Sequence, residues 1–89
     1  MCRNIKTLSN LEPHVTTDEV RAAALQYVRK ISGTRDPSKA NVDSFEQAVE
    51  EIAAISQHLL DHWVTNAEPR NREEEAAKAR ARYQARVAS

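Results

Sequence analysis

The chain of 89 residues has a single cysteine, a single glycine, three prolines, no net charge and no long apolar run. Each scarcity excludes something. A lone Cys2 cannot close an internal disulfide, which suits a reducing compartment. No apolar stretch approaches the length that spans a bilayer, and Met1 is not followed by a signal-peptide core, so the expectation is a soluble, cytoplasmic protein with no membrane partner. β-Branched residues are scattered and never alternate over a strand length, so no sheet is expected. One glycine and abundant Ala, Glu, Lys and Arg favour helix instead.

The fold class read from this composition is all-α. A small helical domain over 1–89 is expected, with one long central helix, two flanking helices, an N-terminal strap over 1–14 and a polar C-terminal helix over 70–89. A chain this short buries a modest fraction of its surface, so a core shared with a partner fits it well. Charge is balanced in total but uneven along the chain: residues 12–68 hold ten acids and five bases, and the basic surplus sits at both ends.

The stretch Asn41 to Val64 organises the rest. Phe45, Ala48, Val49, Ile52, Ser56, Leu59, Leu60 and Trp63 recur at three- and four-residue steps, which places them on one side of a helix. Asp43, Glu46, Glu50, Gln57 and Asp61 form an acidic flank beside them. Ser38 or Asn41 is the expected N-cap, and Asn66 with Pro69 sets the end near Thr65.

The boundaries on either side are also written in the sequence. Leu8 and Leu11 belong to a strap, extended or a short helical turn, that Pro13 ends. Thr16 and Glu19 make a capping box, and Val15 with Val20 a hydrophobic staple, so a helix starts there. Its apolar set, Val20, Ala23, Ala24, Tyr27, Val28 and Ile31 with Leu25 widening the arc, predicts cover on two sides. Gly33 fits a left-handed C-terminal cap, and Pro37 prevents continuation. The last helix opens with Asn71 and Glu74 as a cap-compatible pair, then runs from Glu73, Glu74 and Glu75 to Lys78, Arg80, Arg82 and Arg86, an order that suits the helix dipole. Its apolar line is thin: Ala76, Ala79, Tyr83 and Val87.

Three strings carry a resemblance: the opening Met1-Cys2-Arg3-Asn4-Ile5-Lys6-Thr7-Leu8, the run from Ala22 to Gly33, and Pro37-Ser38-Lys39-Ala40-Asn41, with similarity continuing through Arg70-Asn71-Arg72-Glu73 to about Arg82. The chain resembles a small, mainly bacterial family catalogued as domain of unknown function 2277. That resemblance implies no activity and carries over no site residues. The sequence departs from the family pattern in having Ser9 where an aromatic is common and His14 where proline is common.

Four groups of residues bear on chemistry. Removal of Met1 would leave a free amine and thiol on Cys2, a chelator and nucleophile whose thiolate Arg3 and Lys6 would favour, with His14 the histidine near it in sequence. A packed, inert thiol is the competing reading. His58 and His62, four apart, make half of a zinc site but are not followed by further ligands at metal-binding spacing, so solvent-facing histidines are expected and no metal or other cofactor is assigned. Gly33 to Lys39 has the outline of a phosphate loop but lacks the second glycine and the preceding strand; a weaker anion site at Arg35, Ser38 and Lys39 beside the helix start is the remaining candidate, against an ordinary capping loop. The basic C-terminal segment has Tyr83 as its sole aromatic and the chain no net positive charge, so nucleic acid is an unlikely partner. Docking of Arg80, Arg82 or Arg86 along Asp43, Glu46, Glu50 or Asp61, in the same chain or another, is the alternative use of those bases.

The function expected is therefore a self-associating protein-interaction module without catalysis, a homo-oligomer or a binder of another protein. A thiol- or metal-dependent protein using Cys2 is the alternative.

Overall fold

A computed structural model describes residues 5–88. In chain order the elements are a two-residue strand β1 (Leu11–Glu12), helix α1 (Thr17–Ser32), helix α2 (Val42–Asp61), a second two-residue strand β2 (Arg70–Asn71) and helix α3 (Arg72–Ala88). The architecture is predominantly helical, as composition requires. All three prolines lie between elements.

α1 begins and ends where its caps dictate. The Thr16 hydroxyl accepts from the Glu19 amide at 3.2 Å and the Glu19 carboxylate accepts from the Thr16 amide at 2.8 Å, so two orphan amides of the first turn are satisfied reciprocally. Val15 and Val20 on either side of this box are both buried. At the other end Gly33 takes φ +72° and donates its amide to the Arg29 carbonyl at 3.0 Å, a conformation that a Cβ would disfavour.

α2 runs antiparallel to α1, because Arg21 pairs with Glu50 and His14 with Asp61 as the two chains pass. The pair buries Ala24 and Val28 of α1 against Val49 of α2, with Leu25, Phe45, Ala48, Ile52 and Ala53 packed around them, and Val20 is buried nearer the start of α1. The helix starts one residue after Asn41, whose side chain makes no bond to the first-turn amides and donates instead to Ser38 Oγ at 2.9 Å. It stops at Asp61, four residues before the expected Thr65, with His62 in a non-helical conformation.

Two expectations are corrected. A sheet exists: β1 and β2 pair in parallel, Leu11 opposite Arg70 and Glu12 opposite Asn71, extended by the Arg70 amide donating to the Asn10 carbonyl at 2.7 Å. Two-residue strands have no period, so alternation cannot reveal them. Cover of α1 on two sides is also absent: Tyr27 and Ile31 face solvent, and α3 does not lie along the hairpin. From Ala76 to Val87 every residue of α3 is exposed.

The shape follows from this arrangement. Principal extents are 44 × 37 × 15 Å, a flat outline. The radius of gyration is 15.8 Å, where a compact chain of this length has about 12 Å. One layer of helices has no second layer to bury its outer sides. Among the described residues no helix is long and apolar enough to cross a membrane.

The placement of the core is tested by paired truncations. Val49→Ala should destabilise by about 2 kcal/mol, the loss of two buried methyl groups and the small cavity left behind. Val64→Ala, at a side chain 90% exposed, should stay within about 0.5 kcal/mol. Urea denaturation followed by circular dichroism measures both, and equal effects would refute this core.

Candidate functional site

The densest polar arrangement lies where the strap, the start of α1 and the start of α3 meet. Its centre is Arg72, the first residue of α3. Its Nη1 donates to Glu19 Oε2 at 2.7 Å and its Nη2 to Glu19 Oε1 at 2.9 Å, a bidentate fork, while Nε donates to the Pro13 carbonyl at 2.8 Å and Nη2 also to the His14 carbonyl at 3.2 Å. A planar guanidinium matches this set of acceptors; a lysine ammonium would not. Glu19 thus serves both the α1 cap and the clamp.

Arg70, two residues earlier in β2, repeats the device. Its Nη1 donates to Glu75 Oε1 at 3.1 Å and its Nη2 to the carbonyls of Thr7 and Ser9. Asn10, at φ +57°, lies beside it and donates from Nδ2 to the Glu68 carbonyl at 2.9 Å. Asparagine tolerates that left-handed conformation better than most residues. Asn71 completes the junction by accepting the Glu74 amide on Oδ1 at 3.1 Å, the N-cap expected for α3.

The electrostatics follow these contacts. The Arg72 hydrogen bonds, with the Thr16 amide, hold the Glu19 carboxyl down to about 2 from an ordinary 4.5. Hydrogen bonding to Glu19 raises the Arg72 guanidinium in turn. Arg70 lowers Glu75 in the same way. On the far side of the strap, His14 Nε2 lies 2.9 Å from Asp61 Oδ1, which also accepts from Gln57 Nε2 at 2.9 Å, and these two bonds, His14 first, lower the Asp61 carboxyl. Gln57 Oε1 is buried with no partner among the described residues.

The sequence candidates are dispersed. Cys2 and Arg3 lie outside the described residues. His14 is exposed, with one ring nitrogen committed to Asp61. Arg35, Ser38 and Lys39 are exposed in the α1–α2 loop; the Ser38 hydroxyl accepts from Asn41 Nδ2 and the Ser38 carbonyl from the Asn41 amide, so the serine is used inside the turn. His58 and His62 are exposed with ring centroids 4.2 Å apart, and the His58 carbonyl accepts from His62 Nδ1 at 2.9 Å. Among the described residues no three His, Cys, Asp or Glu side chains converge as a metal-ligand group. Asp61 and Glu50 meet His14 and Arg21 rather than the bases of α3 that the sequence suggested.

Arg70 and Arg72 are the site residues that sequence reasoning missed. Their signal was present only as charge flanking Asn71 just after Pro69; no local rule names an acceptor more than fifty residues away.

A second feature is apolar. Phe45 and Ile52 of the α2 seam are half-buried, but Leu59 is 54% exposed and Trp63 51%. Ile55, at 72%, lies on the same side as Leu59 and Ile52. The apolar stripe of α2 runs past its contact with α1: along one edge Ala48 and Ile52 are half-buried against the core, while Ile55 and Leu59 face outward.

Residues 1–78 match the family model described as "Uncharacterized conserved protein (DUF2277)". No curated protein and no solved structure matches the chain.

The Glu19 contact predicts an acid sensitivity. Because its carboxyl is depressed in the folded state, the stabilisation is fully present above about 4.5 and is lost as pH falls towards about 2. Glu19→Gln should cost about 1–2 kcal/mol at neutral pH, a value reduced from that of a buried pair because the side chain is one-third exposed. Thermal melts of both proteins against pH should draw together below about 4.5 and converge only as pH approaches about 2, and a constant gap would refute the assignment.

Proposed function

The chain belongs to the DUF2277 family, and we propose that it acts as a self-associating interaction module, without catalysis of its own, that works in the cytoplasm as one helical domain. The observation that supports this reading is the outward edge of α2. Ile55 and Leu59 are exposed beside half-buried Ile52, and the Trp63 ring beyond the helix end is half in water. Covering such a strip removes apolar area from water at roughly 25 cal/mol per Å², and α3, which stands away from the hairpin, does not cover it within the chain.

The charge pattern supports a protein partner over nucleic acid. The bases of α3 are interleaved with alanines, the α1–α2 hairpin sequence is rich in acids, and Tyr83 is the one aromatic of α3 available for stacking.

Sedimentation equilibrium across the micromolar range tests the reading. The weight-average mass should rise from 10.0 kDa towards twice that value with concentration, and Leu59→Glu should hold it at the monomer while leaving the helical circular-dichroism signal intact. A wild-type chain that stays monomeric throughout would overturn self-association.

A further inference from the structure

α3 and the open edge of α2 are complementary in three independent respects. The first is length. Ala76 to Val87 on α3 and Ala48 to Leu59 on α2 cover the same number of residues, about 17 Å of helix each. Their apolar positions fall at nearly the same steps: Ala76, Ala79, Tyr83 and Val87 against Ala48, Ile52, Ile55 and Leu59. Run antiparallel, the small Ala76 and Ala79 lie opposite the large Leu59 and Ile55, and the large Val87 lies opposite the small Ala48. Run parallel, large meets large at one end and small meets small at the other, which leaves gaps.

The second respect is charge. Residues 17–61 carry eight acids and five bases, whereas residues 76–88 carry four bases and no acid. Glu51 borders the open edge on the side away from α1, and Arg82 borders the α3 line; neither has a partner among the described residues. At 100° per residue the two fall on the same side of the contact, about 3 Å apart along the axis, only when the helices are antiparallel. That direction also opposes the two helix dipoles.

The third is availability. The Arg72 clamp holds the start of α3 against the start of α1, and from Ala76 onward the helix is exposed rather than folded along its own hairpin. An arm held off its own hairpin leaves its apolar line open to another molecule.

We propose that α3 of one copy docks antiparallel along the Ala48, Ile52, Ile55 and Leu59 edge of α2 in a second copy, with Arg82 facing Glu51 across the contact. This rests on the self-association reading and specifies its interface. Reciprocal exchange of two such arms buries both edges and closes a two-fold dimer with no strip left over.

The test uses the full chain with Arg82→Lys, which keeps the charge and supplies a primary amine. A mixture of unlabelled and ¹⁵N-labelled protein is treated with a carbodiimide, which joins a lysine to a carboxylate in contact with it, and digested for mass spectrometry. The expected result is a peptide pair joining Lys at position 82 to Glu51 with mixed isotopes. Charge reversal at Arg82→Glu should weaken association at least tenfold, and adding Glu51→Arg should restore it. A pair of uniform isotope composition would place the contact within one chain and overturn the proposal. A dimer that Leu59→Glu breaks but Tyr83→Ala and Arg82→Glu leave unchanged would overturn arm docking while leaving self-association standing. A wild-type monomer would overturn both.

Discussion

Arg72 is the side chain that ties the start of α3 at once to the strap and to the first turn of α1. Its fork to Glu19 and its bonds to the Pro13 and His14 carbonyls fasten α3, the strap and the first turn of α1 at one point. The two-residue ladder of β1 and β2 is too short to hold a parallel pairing alone, since a ladder of this length closes a loop of more than fifty residues. Arg70 and Asn10 add side-chain bonds across the same gap. Charge-assisted bonds between a guanidinium and several acceptors supply the direction that so small an apolar core cannot. Arg72 therefore decides where α3 starts and which way it leaves.

The cost of this design is a thin molecule. Two helices in contact bury one side of each, and among the described residues the five buried apolar ones, Val15, Val20, Ala24, Val28 and Val49, are all small. Small side chains let the helices approach closely but enclose little area. The large apolar residues, Ile55, Leu59, Trp63, Tyr27 and Ile31, lie at the margins or outside. The greasy seam of α2 is real, and α1 covers its centre only as far as Ile52; the remaining turns give the surface on which the functional proposal stands.

Local chemistry was legible wherever one residue answers to another a few positions away. Thr16 and Glu19 announced the start of α1, Gly33 its end, Asn71 and Glu74 the start of α3, and the three prolines the gaps between elements, because caps and breaks depend on backbone groups within a turn. The end of α2 was less legible: its apolar period continues to Trp63, but the helix stops at Asp61, where the His62 amide closes the last turn on the His58 carbonyl. The candidate residues fared differently again. His14 was singled out for its nearness to Cys2 and found at Asp61; Arg35, Ser38 and Lys39 were placed on a loop that uses the serine for its own turn.

By itself the sequence determined three helices, their caps and the side of each that is apolar, since those follow from periods of 3.6 residues and from contacts within a turn. Tertiary structure alone decided that α1 covers only part of α2, that a strand pair joins residues 11–12 to 70–71, and that α3 stands away from the hairpin. The last two outcomes depend on which distant acceptors Arg70 and Arg72 find, and a guanidinium can satisfy its donors with any carbonyl or carboxylate that the fold brings within reach.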